Sequence, residues 1–273
     1  MKKGLIKKIF AATLVGVMAL SFVGCGSKEE KNDLETIKEK GKVVVGMSAD
    51  YAPYEFHAMI DGKDKVVGFD VNLANEIAKD MGVKLEIKEM EFDPLIGALK
   101  AGQIDMIISG MNPDEKRKKQ IDFSDIYYEA KHGVLVKKEN LDKFKKVDDL
   151  NGKKIGAQLG STQQEIAEKT VKDADVQLLA NVNNLILELK TDKVNALIIE
   201  EPVAKMAMET NPELALSEIT FKDTSGGNAV GMRKGQDDLV KQVNKTIKRL
   251  KDSGDLDKFI IDANNIAAEN QSN

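Results

Sequence analysis

Within Ile104–Arg117, IDMIISGMNPDEKR, an apolar run is followed by Ser109-Gly110, a helix-start pair and an arginine. Residues of these types at this spacing suit the binding of an anion. Ile104, Met106, Ile107 and Ile108 predict a core strand. Gly110 lets another group approach the backbone, and Asn112 with Pro113 predicts the N-cap and first position of a helix. The unpaired amides of such a helix start favour a carboxylate, and Arg117 adds a two-pronged, charge-assisted grip. Read alone, the stretch fits a capped surface helix in the charge run from Asp114 to Lys119 equally well.

Two more strand ends carry polar chemistry. Gln158-Leu159-Gly160-Ser161-Thr162 puts hydroxyls at the start of a helix, and Glu200 follows the apolar run Ala196–Ile199. Each has a structural explanation: Ser161 with Gln164, and Thr162 with Glu165, fit capping boxes, and a first-turn carboxylate at Glu200 suits the helix dipole. Open α/β sheets bind ligands beyond the carboxyl ends of their strands, and three such ends together tip the reading toward a site. An arginine with helix-start amides for a carboxylate, and an acid for an ammonium, is what a free amino acid requires. Tyr51, after the first strand, and Phe92, before a helix cap, are available to cover its apolar stem or to pack in the core.

The elements that must position these residues alternate strand and helix, which predicts an α/β fold of parallel sheets covered by helices. Strands are expected at Val43–Met47, Val83–Ile87, Ile104–Ile108, Gly133–Lys137, Lys154–Gln158, Val176–Leu179, Ala196–Ile199 and Ala229–Met232. Helices are expected from Val71 to Gly82, from Asp93-Pro94 to Gly102, from Ser161 to about Ala174, over Asn183–Thr191, from Glu200, and over Asp237–Lys251 and Leu256–Ala263. The Asn-rich end from Asn264 is expected to fray.

The 273 residues allow one large domain or two small ones, and 42% hydrophobic with 32% charged residues is the composition of a soluble globule. A disordered or collagen-like chain is excluded, and a formal charge of −4 gives no reason to expect nucleic acid. Lys2, Lys3, Lys7 and Lys8 precede an uncharged, mostly apolar run over Ile9–Val23, shorter than the ~20 residues of a spanning helix, so residues 1–24 are expected to be a secretory signal peptide. The signal ends at Cys25, the single cysteine, so no intramolecular disulfide is possible. Phe22-Val23-Gly24-Cys25 resembles the lipobox of bacterial lipoproteins, with Phe22 where an aliphatic is usual, and implies lipidation of Cys25. Residues 25–36 would then be the lipidated cysteine and a polar tether. Losing four lysines leaves an acidic body, a soluble domain held at a membrane by its lipid alone.

From about Ile37 to Ile261 the chain resembles the class II solute-binding proteins, bacterial family 3, of polar amino-acid ABC importers. The marks are Asp50-Tyr51-Ala52-Pro53-Tyr54-Glu55-Phe56, Val67-Gly68-Phe69-Asp70-Val71, Ser109-Gly110-Met111-Asn112 with Arg117, Ile121-Asp122-Phe123-Ser124, Gly160-Ser161-Thr162, and Glu200-Glu201-Pro202-Val203-Ala204. The resemblance implies a periplasmic-binding-protein-like type II fold of two lobes, each a sheet flanked by helices, joined by two hinge strands near Tyr128–His132 and Thr224–Asn228. Lobe 1 would comprise residues 37–130 and 227–265, lobe 2 residues 131–226, and 266–273 a frayed tail. Arg117 would clamp the ligand carboxylate, helped by backbone at Gly110 and Met111 and by Ser161 or Thr162 from the other lobe, and Ser109 would also belong to the binding site. Glu200 stands where the family usually has the Asp that meets the ammonium, Asn112 where it usually has Thr, and Tyr51 and Phe92 would sandwich the side chain. Ser48 stands where relatives that bind lysine or arginine generally carry an acid. With Gln158 opposite, it implies a neutral polar ligand, unless Asp50, Glu55 or Glu91 supplies the charge.

The function implied is an extracytoplasmic lipoprotein that delivers a free amino acid to an ABC permease as a monomer, without catalysis, cofactor or metal. A lyase or dehydratase on the same fold needs a placed acid or base, and the only histidines, His57 and His132, belong to no nucleophile or metal constellation. A sensory lipoprotein without transport stays open.

Overall fold

The computed structural model describes residues 32–129 and 131–270. The signal segment, Cys25 and the tether before residue 32 lie outside them. Residues 33–36 of the expected tether are helical: α1 (Asp33–Lys40) is capped by Asn32, whose side chain accepts from the Glu35 amide at 2.9 Å. Acids fill its first turn, and Gly41 closes it at φ 66°. Ile37 is the residue that α1 buries completely.

β1 (Lys42–Met47) leads into a small antiparallel sheet of β2 (Asp50–Tyr51), β3 (Glu55–Ile60) and β4 (Lys63–Val67), followed by α2 (Phe69–Met81) and β5 (Lys84–Glu89). α3 (Leu95–Lys100), β6 (Met106–Ile107), the single turn α4 (Glu115–Lys118) and β7 (Asp122–Phe123) come next. Beyond Tyr128 the chain builds β8 (His132–Lys137), two 3-10 segments (Lys138–Lys143 and Val147–Leu150), β9 (Lys154–Gln158), α5 (Thr162–Thr170), β10 (Asp175–Leu179), α6 (Val182–Lys190), β11 (Ala196–Glu200), α7 (Glu201–Thr210) and β12 (Leu214–Phe221). It returns with β13 (Gly231–Met232), α8 (Asp237–Ser253) and α9 (Asp255–Asn270).

Two five-stranded sheets result, ordered β5-β1-β6-β13-β7 and β10-β9-β11-β8-β12. In each, four strands run in one direction and a single strand, β13 in the first sheet and β8 in the second, runs antiparallel between its two neighbours. The β1 run is apolar throughout because both its faces are covered. Val43, Val45 and Met47 pack in the cluster that holds Leu73 and Ile77 of α2, while Val44 packs with Leu95, Leu99 and Ile104. The crossings meet at an antiparallel bridge, Tyr128 to Asn228, with the Asn228 amide donating to the Tyr128 carbonyl at 2.8 Å.

The turn after β2 caps α2. The Phe69 and Asp70 amides donate to the carbonyls of Pro53 and Tyr54 at 3.0 and 2.9 Å. Gly68, at φ 132°, makes this approach possible, since a Cβ there would collide with the Tyr54 carbonyl.

The helix expected to end at Ala263 continues to Asn270, because Ile266 and Ala267 keep its apolar face in register. They pack with Phe56 and Ala58 of β3 and Met206 of α7, so the C-terminal helix meets both lobes. Deleting residues 264–273 should therefore cost about 1–3 kcal/mol, the burial of one or two apolar side chains. An unchanged urea midpoint would mean that this end contributes nothing to the fold.

Candidate functional site

The predicted helix start at Asn112-Pro113 is displaced. α4 begins at Glu115, and Asp114 caps it by accepting from the Arg117 amide at 2.7 Å. Asp114 is as good a cap as Asn112 and lies closer to the helix, so Asn112 and Pro113 are left in the loop. The amides expected to face an anion are therefore not helix-start amides. What remains is the guanidinium itself. Arg117 is 5% exposed and donates from Nη1 to the Asn112 carbonyl at 2.7 Å and from Nη2 to the Gly160 carbonyl at 2.9 Å. Its Nε lies 3.4 Å from Asp114, and the group stacks over the Phe92 ring at 5.3 Å. Burial pulls its pKa down and Asp114 opposes this, but a guanidinium keeps its charge.

Gly160 belongs to the other lobe, in the turn from β9 to α5. Ser161 caps α5: its hydroxyl accepts from the Gln164 amide at 3.1 Å and donates to the Gln158 carbonyl at 2.7 Å. Gln164 completes the cap by accepting from the Gly160 amide at 2.8 Å, one residue beyond the expected capping box. The Ser161 hydroxyl is thus committed to structure, while the first amides of this nine-residue helix have no intrahelical partner. Thr162 reaches across the cleft and donates to Asn112 Oδ1 at 2.8 Å. Gln158 donates to the Ala180 carbonyl at 3.0 Å.

Glu200 ends β11 at the head of α7 but does not cap it with its side chain. The carboxylate turns into the seam between the lobes, fully buried, and accepts from Tyr54 Oη at 2.6 Å and from the side-chain amides of Asn112 and Asn228 at 3.3 Å each. Burial pushes its pKa up to about 7, against the pull of these three hydrogen bonds. Asp223 lies beside it and accepts from Asn112 at 3.1 Å.

Tyr51 and Phe92 form two walls of the cleft, and Tyr51 stacks on Tyr54 with ring centroids 5.5 Å apart. Ser48, Ser109, Gly110, Asn112, Gln158 and Ser161 also line it; Arg117, Thr162 and Glu200 adjoin it through the contacts above. Met111 does not face it: its side chain packs with Leu95, Leu99 and Ile107, and its carbonyl accepts from the Ala229 amide. The Gly110 amide is likewise committed, donating to Asp70 at 2.7 Å.

Ser48 donates to Asp50 Oδ1 at 2.9 Å, and Asp50 Oδ2 accepts from the Val182 amide of α6 at 2.6 Å. Asp50 is therefore occupied between the lobes, and Glu91 is exposed. The acid that lines the cleft is Glu55, which accepts from Ser109 Oγ at 2.5 Å. Gln163 also lines the cleft, donating to Tyr51 Oη at 3.3 Å, with His132 Nδ1 at 3.3 Å behind it. His57 sits apart on β3, held between Asp64 and Glu89 at the surface. Sequence reasoning left out Tyr54, Gln163, Asp223 and Asn228. Tyr54 stood within a family mark and Asn228 at a hinge crossing, but the contacts that bring all four to the site are with distant residues, which a single sequence does not display.

Residues 43–261 match the model of the bacterial extracellular solute-binding proteins, family 3. The chain belongs to that family. It is similar to the arginine-binding extracellular protein ArtP of Bacillus subtilis, at 36% identity over 93% of this chain and 96% of the relative. It is also similar to the crystal structure of AbpA, an amino acid ABC transporter substrate-binding protein of Streptococcus pneumoniae bound to L-arginine. The identity there is 42% and the TM-score 0.84, covering 86% of this chain and 99% of that one. An ancestral arginine-binding protein bound to glutamine matches at 40% identity and TM-score 0.73, covering 80% and 96%. Both lobes of the type II periplasmic binding proteins are present.

Because the Glu200 pKa is raised on folding, this group favours the folded state fully below about 4.5, and the contribution is lost as pH rises toward about 7. Glu200→Gln removes that titration. The stability of the variant relative to the unmodified protein should rise across this window by up to roughly 3 kcal/mol, at about 1.4 kcal/mol per pH unit, and stay constant above it. A difference independent of pH in chemical denaturation would mean that Glu200 does not titrate there.

Proposed function

We propose that the protein is the extracytoplasmic binding component of an amino-acid ABC importer, that it closes its two lobes on one free amino acid, and that it prefers a cationic ligand such as arginine. The observation that carries the reading is a pair of opposite buried charges at the seam, Arg117 and Glu200, each hydrogen-bonded to the other lobe. A zwitterion is complementary to both. The α-carboxylate would take the free guanidinium protons of Arg117 and the first amides of α5, and the α-ammonium would pair with Glu200. Tyr51 and Phe92 would hold the apolar stem.

The neutral side chain at Ser48 points to a neutral polar ligand. Two observations favour a cation instead. Glu55, fully buried, is among the residues that line the cleft and has one carboxyl oxygen that receives no hydrogen bond from the described residues, and ArtP and AbpA are named for, or bound to, arginine. An unpaired charge in such a place is costly, and a ligand guanidinium would relieve it.

In this reading the segments bridged at Tyr128 and Asn228 are the hinge. Residues 37–130 with 227–265 form one moving lobe, and residues 131–226 the other. One ligand touching both lobes supplies the differential contact that favours closure. Cys25 carries the lipid that holds the domain at the membrane beside its permease.

A thermal-shift series against the common amino acids tests the ligand class. Saturation at 100 times Kd adds ~2.7 kcal/mol to stability, so arginine should raise the melting temperature most, and no response to any amino acid would remove the reading. Arg117→Ala should weaken binding by roughly 30-fold to several thousand-fold, the ~2–5 kcal/mol typical of truncating one member of a buried charge pair. Titration of the variant with unchanged affinity would take Arg117 out of the site.

A further inference from the structure

We propose that Glu55 and Asp70 form a carboxyl pair that holds one proton while the cleft contains a neutral ligand and gives it up when a cationic side chain enters, so that the pocket exchanges a proton for the ligand's distal charge. The inference rests on the amino-acid-binding reading above and adds a second titrating group to its site.

The fold forces the two acids together. Asp70 is the second residue of α2, and the turn that caps this helix runs directly into Glu55 at the head of β3. Both are completely buried, and the adjacent residues Ser109 and Gly110 hold one oxygen of each, which sets the two carboxyl groups beside one another with one unpartnered oxygen apiece; two such neighbours are relieved when one of them carries a proton. The donors around them are few. Ser109 Oγ donates to Glu55 Oε1; the Gly110 amide and Tyr127 Oη donate to the same oxygen of Asp70, at 2.7 and 2.9 Å. Glu55 Oε2 and Asp70 Oδ1 receive no hydrogen bond from any described donor.

The charged surroundings do not compensate two anions. Asp50 on β2 and Asp70 on α2 add negative potential at Glu55, and Glu200 at the head of α7 adds it at Tyr127. The phenols of Tyr51, Tyr54 and Tyr127 are held above their ordinary value by burial and stay neutral. Arg117 is committed to Asn112, Gly160 and Asp114, His132 lies behind Gln163 with its pKa lowered by burial, and neither acid has an ion-pair partner among the described residues. Burial raises the Glu55 carboxyl well above its usual range, with Asp70 the next cause, and raises Asp70 to about 6.

The exchange balances. With a neutral ligand the pair carries a single negative charge, and Glu55 Oε2 can accept from an amide. When a guanidinium or ammonium arrives, the shared proton leaves a carboxyl oxygen for solvent, the pair becomes doubly negative, and the cation restores the net charge. No covalent bond to carbon forms or breaks. Affinity for a cationic ligand should therefore rise with pH relative to that for a neutral one.

Glu200 complicates a simple measurement, because the α-ammonium of any amino acid would displace its proton too. The difference between ligands isolates the pair. Calorimetric titrations near pH 7 with L-arginine and L-glutamine, each in two buffers of different ionisation enthalpy, count the protons released. Arginine should release up to one more proton than glutamine, and the ratio of their affinities should climb by up to about tenfold per pH unit while the pair still holds its proton. Glu55→Gln should abolish the extra proton and weaken arginine more than glutamine; if glutamine is too weak to titrate, this variant with arginine becomes the reference. Tight arginine binding with equal proton release and a flat ratio would overturn the exchange alone. Failure of arginine to bind while glutamine does would overturn both the exchange and the cationic reading.

Discussion

A charge taken out of water must find a partner, and in this molecule the partners of the buried charges at the seam come from across it. Arg117 is satisfied by the Gly160 carbonyl of the opposite lobe, Glu200 by Tyr54 and Asn112, and Asp50 by the Val182 amide of α6. Unpaired, such groups cost several kcal/mol each. The seam is therefore where the buried charges of each lobe depend on the other, and in the proposed reading a zwitterionic ligand would pair with Arg117 and Glu200 there.

The rest of the architecture delivers those groups to one line. The segment that leads to Arg117 follows β6, the Gly160 turn follows β9, and Glu200 is the last residue of β11. Strands parallel within each sheet put these ends on the same edge. The short sheet β2-β3-β4 contributes in another way. Its turn caps α2 and so sets Tyr51, Tyr54 and Glu55 against the edge of the first sheet. Paired crossings at Tyr128 and Asn228 keep the two edges opposed, and the Asn228 side chain touches both Gly110 and Glu200.

Much of this was legible in the residues. Continuous apolar runs marked the buried strands, helical spacing with a glycine stop marked α2, and the strand-to-helix junctions at Ser161 and Glu200 were found because a polar residue ended an apolar run. The remainder fails for identifiable reasons. Asn112 and Asp114 are equally good caps by type, and only the tertiary fit chooses Asp114. β4 carries Lys63, Asp64 and Lys65, exposed on an edge, so it has no hydrophobic signature. β12, LALSEITF, alternates partly but is broken by a register shift between Leu216 and Thr220. Ile266 and Ala267 read as a tail because their partners, Phe56 and Met206, are far away in sequence. Glu55 looked like one of several acids near Ser48, and complete burial beside the cleft is what separates it from Asp50 and Glu91.

The central claim is that the opposed charges at the seam read the two ends of an amino acid. A crystal structure of the protein with its bound amino acid tests this most directly. The account predicts the α-carboxylate on Arg117 and the amides that open α5, the α-ammonium against Glu200, and the side chain running between Tyr51 and Phe92 toward Glu55. A ligand bound away from the seam, or one whose carboxylate makes no contact with Arg117, would contradict it.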